Sequence, residues 1–163
     1  MKQKILLSLL LLFAAGFLKA QSLQEWTWST YKIKFQAPDN MRIQENDASV
    51  FSATNDNIAL SIYPRKGENL TYDGMKQAIK NWAYQENLNY DTYNSDGDEQ
   101  PIYLKDLNGY WGCAIDGTNK GFPTSMLLLV DPDYSDISFC IWTSYSDQYY
   151  HDVLTILKSF KPM

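Results

Sequence analysis

The chain has 163 residues, of which 45% are hydrophobic and 15% aromatic, and its formal net charge at pH 7 is −5. This length suits one domain with a single core. The acidic charge excludes nucleic acid as a partner, because that affinity depends on phosphate neutralisation by Lys and Arg, and it disfavours anionic membrane surfaces.

The first 20 residues have the pattern of a secretory signal peptide. Lys2 and Lys4 precede an apolar run from Ile5 to Phe17, and Ala20 is a small residue at the expected cleavage point. The run is about 13 residues, short of the roughly 20 that a membrane-spanning helix needs, so no stable membrane insertion is expected. We predict one mature domain, residues 21–163, that is periplasmic or secreted. Its net charge is about −8, since three of the 14 basic residues lie in the leader.

Alternation of apolar and polar residues predicts strands at the start of the mature domain. Trp26 and Trp28 share one parity, and the next apolar residues share the other, which predicts a turn or bulge at Ser29 and Thr30. Pro38 is expected to end the second strand. The segments 48–54 and 57–64 are typical of a β-hairpin. Its buried face is predicted to carry Ile58, Leu60 and Ile62.

Two segments have the apolar spacing of helices. Residues 71–87 and 147–160 each carry an apolar stripe that is expected to pack on a sheet. The predicted N-caps are Thr71 or Asp73 for the first helix and Ser146 for the second. The predicted stripes are Met75, Ile79, Trp82 and Ala83 in the first, and Tyr150, Val153, Leu154 and Leu157 in the second.

Three strand candidates lie between the helices, after an acidic loop around Gly97. Residues 101–117 are one long strand or a hairpin that turns at Asn108 and Gly109, and the other strands are 122–130 and 136–145. Strands joined by short turns, with only two helices, predict an α+β fold. We expect a central antiparallel β-sheet flanked by helices in an α/β/α layered arrangement.

Cys113 and Cys140 are the only cysteines. In an oxidising compartment they are a candidate disulfide, provided that their Cα atoms lie within about 7 Å. The alternative is that both thiols are buried and behave as small hydrophobic groups. No basic residue adjoins either cysteine in sequence, so neither is predicted to be a catalytic nucleophile.

No catalytic, cofactor-binding or metal-ligating residue is predicted. His151 is the only histidine, which excludes zinc sites built from two or three histidines. An EF-hand register on Gly97 would place Thr92 and Tyr103 at ligand positions, so the acidic loop is interpreted as a solvated turn. Ser146 lies near His151 in sequence, but a helix cap lacks the nucleophile elbow and the oxyanion donors of acyl transfer.

Two alternatives to a simple binding role remain open. Trp26, Trp28 and Trp111 are a candidate aromatic contact surface, which would favour a carbohydrate-binding module if these rings lie exposed beside a groove. A small hydrolase would be favoured if His151 or a carboxylate pair lined a deep pocket. Trp82 and Trp142 lie in patterns typical of a core.

Seven segments in chain order resemble the PsbP/Mog-type fold, including its small exported bacterial members of the DcrB kind. These segments are YKIKFQAP, IALSIYP, MKQAIKNWAYQ, LNGYWGCAIDGT, MLLLV, ISFCIWTSY and ILKSF. The resemblance spans nearly all of the mature chain and implies an antiparallel sheet between helices. It also implies a binding or assembly accessory instead of an enzyme.

The resemblance implies a binding function, because the members of this fold act as binding or assembly accessories. Members of the fold include a photosystem extrinsic subunit and a nuclear transport factor that binds a small GTPase, but no partner-binding residue of either transfers to this chain. We expect a non-catalytic exported domain, without a cofactor, that binds a protein or another envelope or extracellular component. A glycan is the alternative partner.

Overall fold

Residues 21–163, which the computed structural model describes, contain ten strands and two α-helices. The predicted signal peptide lies outside these residues. The strands are β1 (Leu23–Trp28), β2 (Ile33–Pro38), β3 (Arg42–Asn46), β4 (Phe51–Thr54), β5 (Ile58–Lys66), β6 (Ile102–Leu107), β7 (Tyr110–Asn119), β8 (Phe122–Val130), β9 (Ile137–Tyr145) and β10 (Lys161–Pro162). The helices are α1 (Met75–Gln85) and α2 (Tyr150–Lys158), with short 3-10 helices at Ser29–Tyr31 and Asp147–Tyr149. None of the helices described here has the length and apolarity to cross a membrane.

Seven of the strands form one antiparallel sheet in the order β3-β4-β5-β9-β8-β7-β6. A second, three-stranded sheet has the order β1-β2-β10 and is also antiparallel. The α+β class and the central antiparallel sheet are therefore confirmed.

Two-residue turns connect β6 to β7 and β7 to β8. Asn108 and Gly109 have φ values of 53° and 100°, and Lys120 and Gly121 have φ values of 50° and 84°. Two positive φ values in succession match the twist of antiparallel strands, which is why such hairpins favour Asn and Gly. Residues 101–117 thus form a hairpin that turns at Asn108, as one of the two sequence alternatives predicted.

Core residues lie on both faces of the seven-stranded sheet, and β8 shows this most clearly. Leu127 and Leu129 belong to one apolar cluster, whereas Met126, Leu128 and Val130 belong to another. Successive side chains of a strand point to opposite faces, so each cluster occupies one face. The first cluster includes residues of α2, β1 and β2, and the second includes residues of α1. The predicted layering, with a helix on each face, follows from these two clusters.

The second helix differs from its prediction. It begins as a 3-10 turn, and its α-helical part ends at Lys158. Leu154 is only half-buried, whereas Ile156 is fully buried, so the prediction that Leu154 belongs to the buried stripe is wrong. The buried residues Val153, Ile156, Leu157 and Phe160 follow the i, i+3, i+4, i+7 spacing, which places Leu154 at the border of the stripe.

The first helix is shorter than predicted, because regular α-helix begins only at Met75. The Thr71 hydroxyl accepts a hydrogen bond from the Gly74 N–H at 3.2 Å, so Thr71 caps the turn that precedes the helix. Its predicted stripe, Met75, Ile79, Trp82 and Ala83, is buried.

Two strands carry no pattern that the sequence could have revealed. All five residues of β3 are exposed, and β10 has two residues, one of them Pro162. Both exist because a neighbouring strand supplies hydrogen-bond partners: β4 for β3 and β2 for β10. Pairing alone, without a buried face, defines these strands.

Candidate functional site

The predicted aromatic contact surface of Trp26, Trp28 and Trp111 is not formed. Trp28 is 0% exposed, and its Nε1 donates to the Asp47 carbonyl at 3.1 Å. Trp26 is half-buried against the same cluster, whereas Trp111 is half-buried against the cluster on the opposite face of the sheet. The condition for an aromatic contact surface, exposed rings beside one groove, is therefore not met, because the three rings pack against two separate clusters.

The candidate disulfide between Cys113 and Cys140 is also absent, and both thiols are free and buried. Leu128 of β8 lies between them: it pairs with Cys113 of β7 on one side and with Cys140 of β9 on the other. The two cysteines are therefore separated by two strand spacings, roughly 10 Å, which exceeds the Cα distance of a disulfide. Burial raises the pKa of each thiol to about 12.

His151 lies exposed on α2, and it lines neither of the two cavities described below. In the acidic loop, the Asn94 side chain accepts hydrogen bonds from the N–H groups of Asp96 and Asp98 at 3.0 and 2.8 Å. These bonds fold the loop as a turn. Within residues 21–163 no group of three His, Cys, Asp or Glu side chains is placed to hold a metal ion.

A groove of about 500 Å³ opens at the end of the large sheet where β7 and β9 begin and β8 ends. We call it the tyrosine groove. It is lined by Tyr31, Lys32, Tyr110, Asp131, Tyr134, Asp136, Ile137, Phe139, Pro162 and Met163. Its volume is within the range of small-ligand pockets, and its walls are mainly aromatic and aliphatic.

Three separate segments build the walls of the tyrosine groove. The 3-10 turn after β1 positions Tyr31, whose ring contacts Phe139 at a centroid distance of 5.4 Å and whose hydroxyl donates to the Ala48 carbonyl at 2.6 Å. The turn after β8 is held by an Asp131 carboxylate oxygen, which accepts the Asp133 N–H at 2.9 Å. The third segment contains Pro162 and Met163, and it is anchored by the Met163 N–H, which donates to the Lys32 carbonyl at 2.8 Å.

Tyr110 lies in the wall of this groove, and its side chain is almost completely buried. The residue is only 3% exposed, and its Oη has no hydrogen-bond partner among the residues that the structure describes. No fully buried side-chain nitrogen or oxygen in that range lacks a partner, so the Tyr110 Oη must keep a small contact with solvent, which the groove provides. Burial, followed by the negative charge of Asp131, raises the pKa of Tyr110 to about 12. The group is therefore a neutral hydroxyl that is free to bond a ligand.

Tyr134 and Met163 form the accessible part of the same groove. They are 71% and 62% exposed, which is high for large apolar side chains. Tyr and Met are among the side chains enriched in the cores of protein interfaces. The tyrosine groove thus combines exposed apolar groups with one buried polar group.

A second cavity, of about 460 Å³, lies at the opposite end of the same strands, where β7 and β9 end and β8 begins. We call it the aspartate cleft. Its lining includes Tyr90, Tyr93, Tyr145, Tyr150, Asp91, Asp116 and Asp147. Burial raises the pKa of Asp116, although hydrogen bonds from Ser125 and Tyr150 oppose the shift. The Tyr150 hydroxyl donates to the Asp116 carboxylate at 3.3 Å.

Gln100 closes the back of the aspartate cleft. Its Nε2 donates to the carbonyls of Asp91 and Asp116 at 3.1 and 3.0 Å, and its Oε1 accepts the Asp116 N–H at 2.6 Å. The side chain is 5% exposed and joins the loop after α1 to β7. Sequence reasoning did not identify Gln100, Asp116 or Tyr110, because no local pattern distinguishes them from the other polar residues of the loops and strands.

Comparison with known proteins identifies the fold. No family model matches the sequence, and no curated protein matches it. A solved structure from Bacteroides thetaiotaomicron VPI-5482 is similar with a TM-score of 0.51 and 10% identity over 88% of this chain; the match covers 49% of that protein, so the chain spans about half its length. The Ran-binding protein Mog1p of Saccharomyces cerevisiae is similar with a TM-score of 0.54 and 8% identity, over 86% of this chain and 95% of that one. A structure of a Mog1 point mutant gives a TM-score of 0.53 and 9% identity, over 86% and 95% of the two chains.

These similarities support the predicted resemblance at the level of the fold. Identities of 8 to 10% establish a shared arrangement of strands and helices, and fold does not by itself determine function. The chain has a Mog1-like α+β fold.

Proposed function

We propose that the chain is a non-catalytic binding or assembly accessory, and that it contacts a protein partner through the tyrosine groove. The observation that carries this proposal is the groove itself, which joins exposed apolar side chains to the hydroxyl of Tyr110, a residue that is only 3% exposed and lines the groove. Interfaces depend on a few aromatic anchors in desolvated pockets, and a polar group in the wall of such a pocket adds specificity. Tyr134 and Met163 are the expected anchors.

The similarity to a protein described as Ran-binding supports a binding role for this fold, although that partner does not carry over to this chain. The first 20 residues support an exported location, which makes an envelope or extracellular component the partner we propose. The net charge of about −8 on residues 21–163 favours a partner with basic groups.

Capture of the partner tests the proposal. The tagged chain is expressed in its source cells, crosslinked and recovered, beside a Tyr134→Ala/Met163→Ala double variant and a Tyr84→Ala control. Tyr84 is 85% exposed on α1, on the other face of the sheet. We expect a protein that the wild type and the control recover equally, and that the double variant recovers roughly 5- to 30-fold less, as for the loss of interface anchors. Equal recovery by all three chains would contradict the groove as the binding surface.

Export is tested separately. Cell fractionation followed by mass spectrometry of the N-terminus should find the chain outside the cytoplasm and beginning at Gln21, after cleavage at Ala20. A cytoplasmic chain that retains Lys2 and Lys4 would contradict export without affecting the groove.

The carbohydrate-binding alternative loses its support, because its three tryptophans do not share an exposed surface. A small hydrolase remains a second candidate for one reason: Asp116 and Asp147 both line the aspartate cleft, and the half-buried carboxyl of Asp116, with its raised pKa, suits a general acid. A glycosidase and esterase screen of the wild type, Asp116→Asn and the exposed-site control Asp133→Asn tests it. Turnover that only Asp116→Asn abolishes would move the hydrolase ahead of the binding role.

A further inference from the structure

We propose that the tyrosine groove recognises a short peptide segment of its partner in which an apolar side chain lies beside a lysine or arginine. This inference rests on the proposed function and names the chemistry of the segment that the groove accepts. Three features of the groove carry it: an apolar wall, two carboxylates and the oxygen of Tyr110.

The apolar wall sets the first requirement. Ile137, Phe139 and Pro162 line the groove, and Phe139 is 5% exposed beside the Tyr31 ring. Such a surface favours an aliphatic or aromatic side chain, because burial of apolar area contributes about 25 cal/mol per Å². A fully polar segment would gain nothing from this wall.

The charges of the groove set the second requirement. Asp131 and Asp136 line it, and neither forms a salt bridge within residues 21–163. Lys32 is the only basic residue in the lining and is exposed, while Lys66 lies over the Tyr31 ring at 5.7 Å and is not part of the lining. Two carboxylates without a basic partner attract a cation and repel an acidic segment.

Tyr110 adds a hydrogen-bond acceptor beside this charge. Its Oη shares the groove with Asp131, whose charge acts on the phenol. The oxygen can accept an N–H of a guanidinium or ammonium group while the carboxylate supplies the opposite charge. A peptide segment that carries both an apolar and a basic side chain would thus meet all three features.

Binding of short peptides tests the inference directly. The probes are three N-acetylated and C-amidated tripeptides, Phe-Leu-Arg, Phe-Leu-Glu and Ser-Ser-Arg, titrated into the isotope-labelled chain and followed by two-dimensional NMR. We expect Phe-Leu-Arg to shift the backbone amides of Lys32, Asp131, Ile137 and Met163, with a dissociation constant on the order of 1 mM. The other two peptides should bind at least about fivefold more weakly, because each lacks one of the required groups.

Variants then assign the roles of single groups. Tyr110→Phe keeps the ring and removes only the hydroxyl, so it should weaken Phe-Leu-Arg binding roughly 2- to 10-fold, as expected for one lost hydrogen bond. Asp131→Asn should reduce the preference for Phe-Leu-Arg over Phe-Leu-Glu. The matched control Tyr84→Phe removes a hydroxyl from an exposed tyrosine of α1 and should bind as the wild type does.

The outcomes separate this inference from the proposed function. Equal binding of Phe-Leu-Arg and Phe-Leu-Glu, unchanged binding by Tyr110→Phe, or no shift of any groove amide at several times 1 mM peptide would each overturn the inference. The proposed function would survive these results if partner capture still required Tyr134 and Met163. Capture that does not require them would overturn both.

Discussion

Asp116 shows how the surroundings of one residue change its chemistry. Its carboxylate lies half-buried on β7, beside Tyr150 and Ser125, and burial raises its pKa above the ordinary 3.8. Because the folded state holds this proton more tightly than the unfolded state, the folded state is penalised as pH rises through the raised pKa. The penalty is absent well below pH 3.8, grows as pH rises from 3.8 to the raised pKa, and is complete above the raised pKa.

We therefore predict that Asp116→Asn increases the free energy of unfolding at pH 7 relative to the wild type. The gain should shrink as pH falls from 7 towards 4, since the wild-type carboxyl then becomes neutral as well. Urea unfolding at pH 4, 5, 6 and 7 measures this difference. Glu25 and Asp47, whose pKa values are lowered, cause stability to fall with acid in both chains and so cancel in the comparison. A gain that does not depend on pH would contradict a titrating Asp116.

The two cysteines give a second prediction for single residues. Cys113 and Cys140 are 0% and 1% exposed, and a strand separates them. A thiol reagent such as dithionitrobenzoate should therefore label neither residue in the native chain and both after denaturation without reductant. Labelling of none in denaturant would indicate a disulfide and contradict the register of β7, β8 and β9.

Among the elements, α2 depends on the large sheet for its stability. It has nine residues, fewer than an isolated helix needs in water, and its cap makes no side-chain hydrogen bond. Val153, Ile156 and Leu157 attach it to the first cluster. Packing, more than helix propensity, thus holds this element.

Replacement of Ile156 by Ala should lower the free energy of unfolding by about 2 to 5 kcal/mol, because the side chain is fully buried. Leu154→Ala removes the same number of carbon atoms from a half-buried site and serves as the matched control. Its cost should be less than half that of Ile156→Ala in the same denaturant titration. A larger cost at Leu154 would mean that the helix is rotated from the orientation described here.

At the scale of the whole molecule, the two apolar clusters are not independent. Strands β7, β8 and β9 contribute to both, and adjacent residues of β8 alternate between them. A loss of either cluster would expose one face of the central strands. The described domain is therefore expected to behave as a single cooperative unit.

Equilibrium unfolding tests this expectation with three probes. Far-UV circular dichroism follows the sheet, tryptophan fluorescence includes Trp28 of the first cluster, and thiol exposure follows Cys113 and Cys140 of the second. We predict that the three midpoints coincide. A separate, earlier transition in thiol exposure would show that α1 and its cluster unfold on their own.

Much of the fold could be predicted from the sequence, because period-two and helical spacing report which residues are buried. Ile58, Leu60 and Ile62 form the predicted buried face of β5, and Asn108 and Gly109 form one of the predicted turns. Strands without a buried face, β3 and β10, left no such signal.

The candidate site could not be predicted in the same way, since its residues converge from distant parts of the chain. The groove brings together Tyr31, Tyr110, Tyr134 and Met163. They meet only because β7 and β9 begin at the same end of the sheet and because β10 pairs with β2. Alternation could show that Trp28 lies on a strand, but not that β1 packs over the sheet and buries it. The sequence by itself determined which residues are apolar and how they are spaced, because these are local properties. The tertiary structure alone decided which polar groups are buried and which cavities they share, because burial depends on contacts between distant segments.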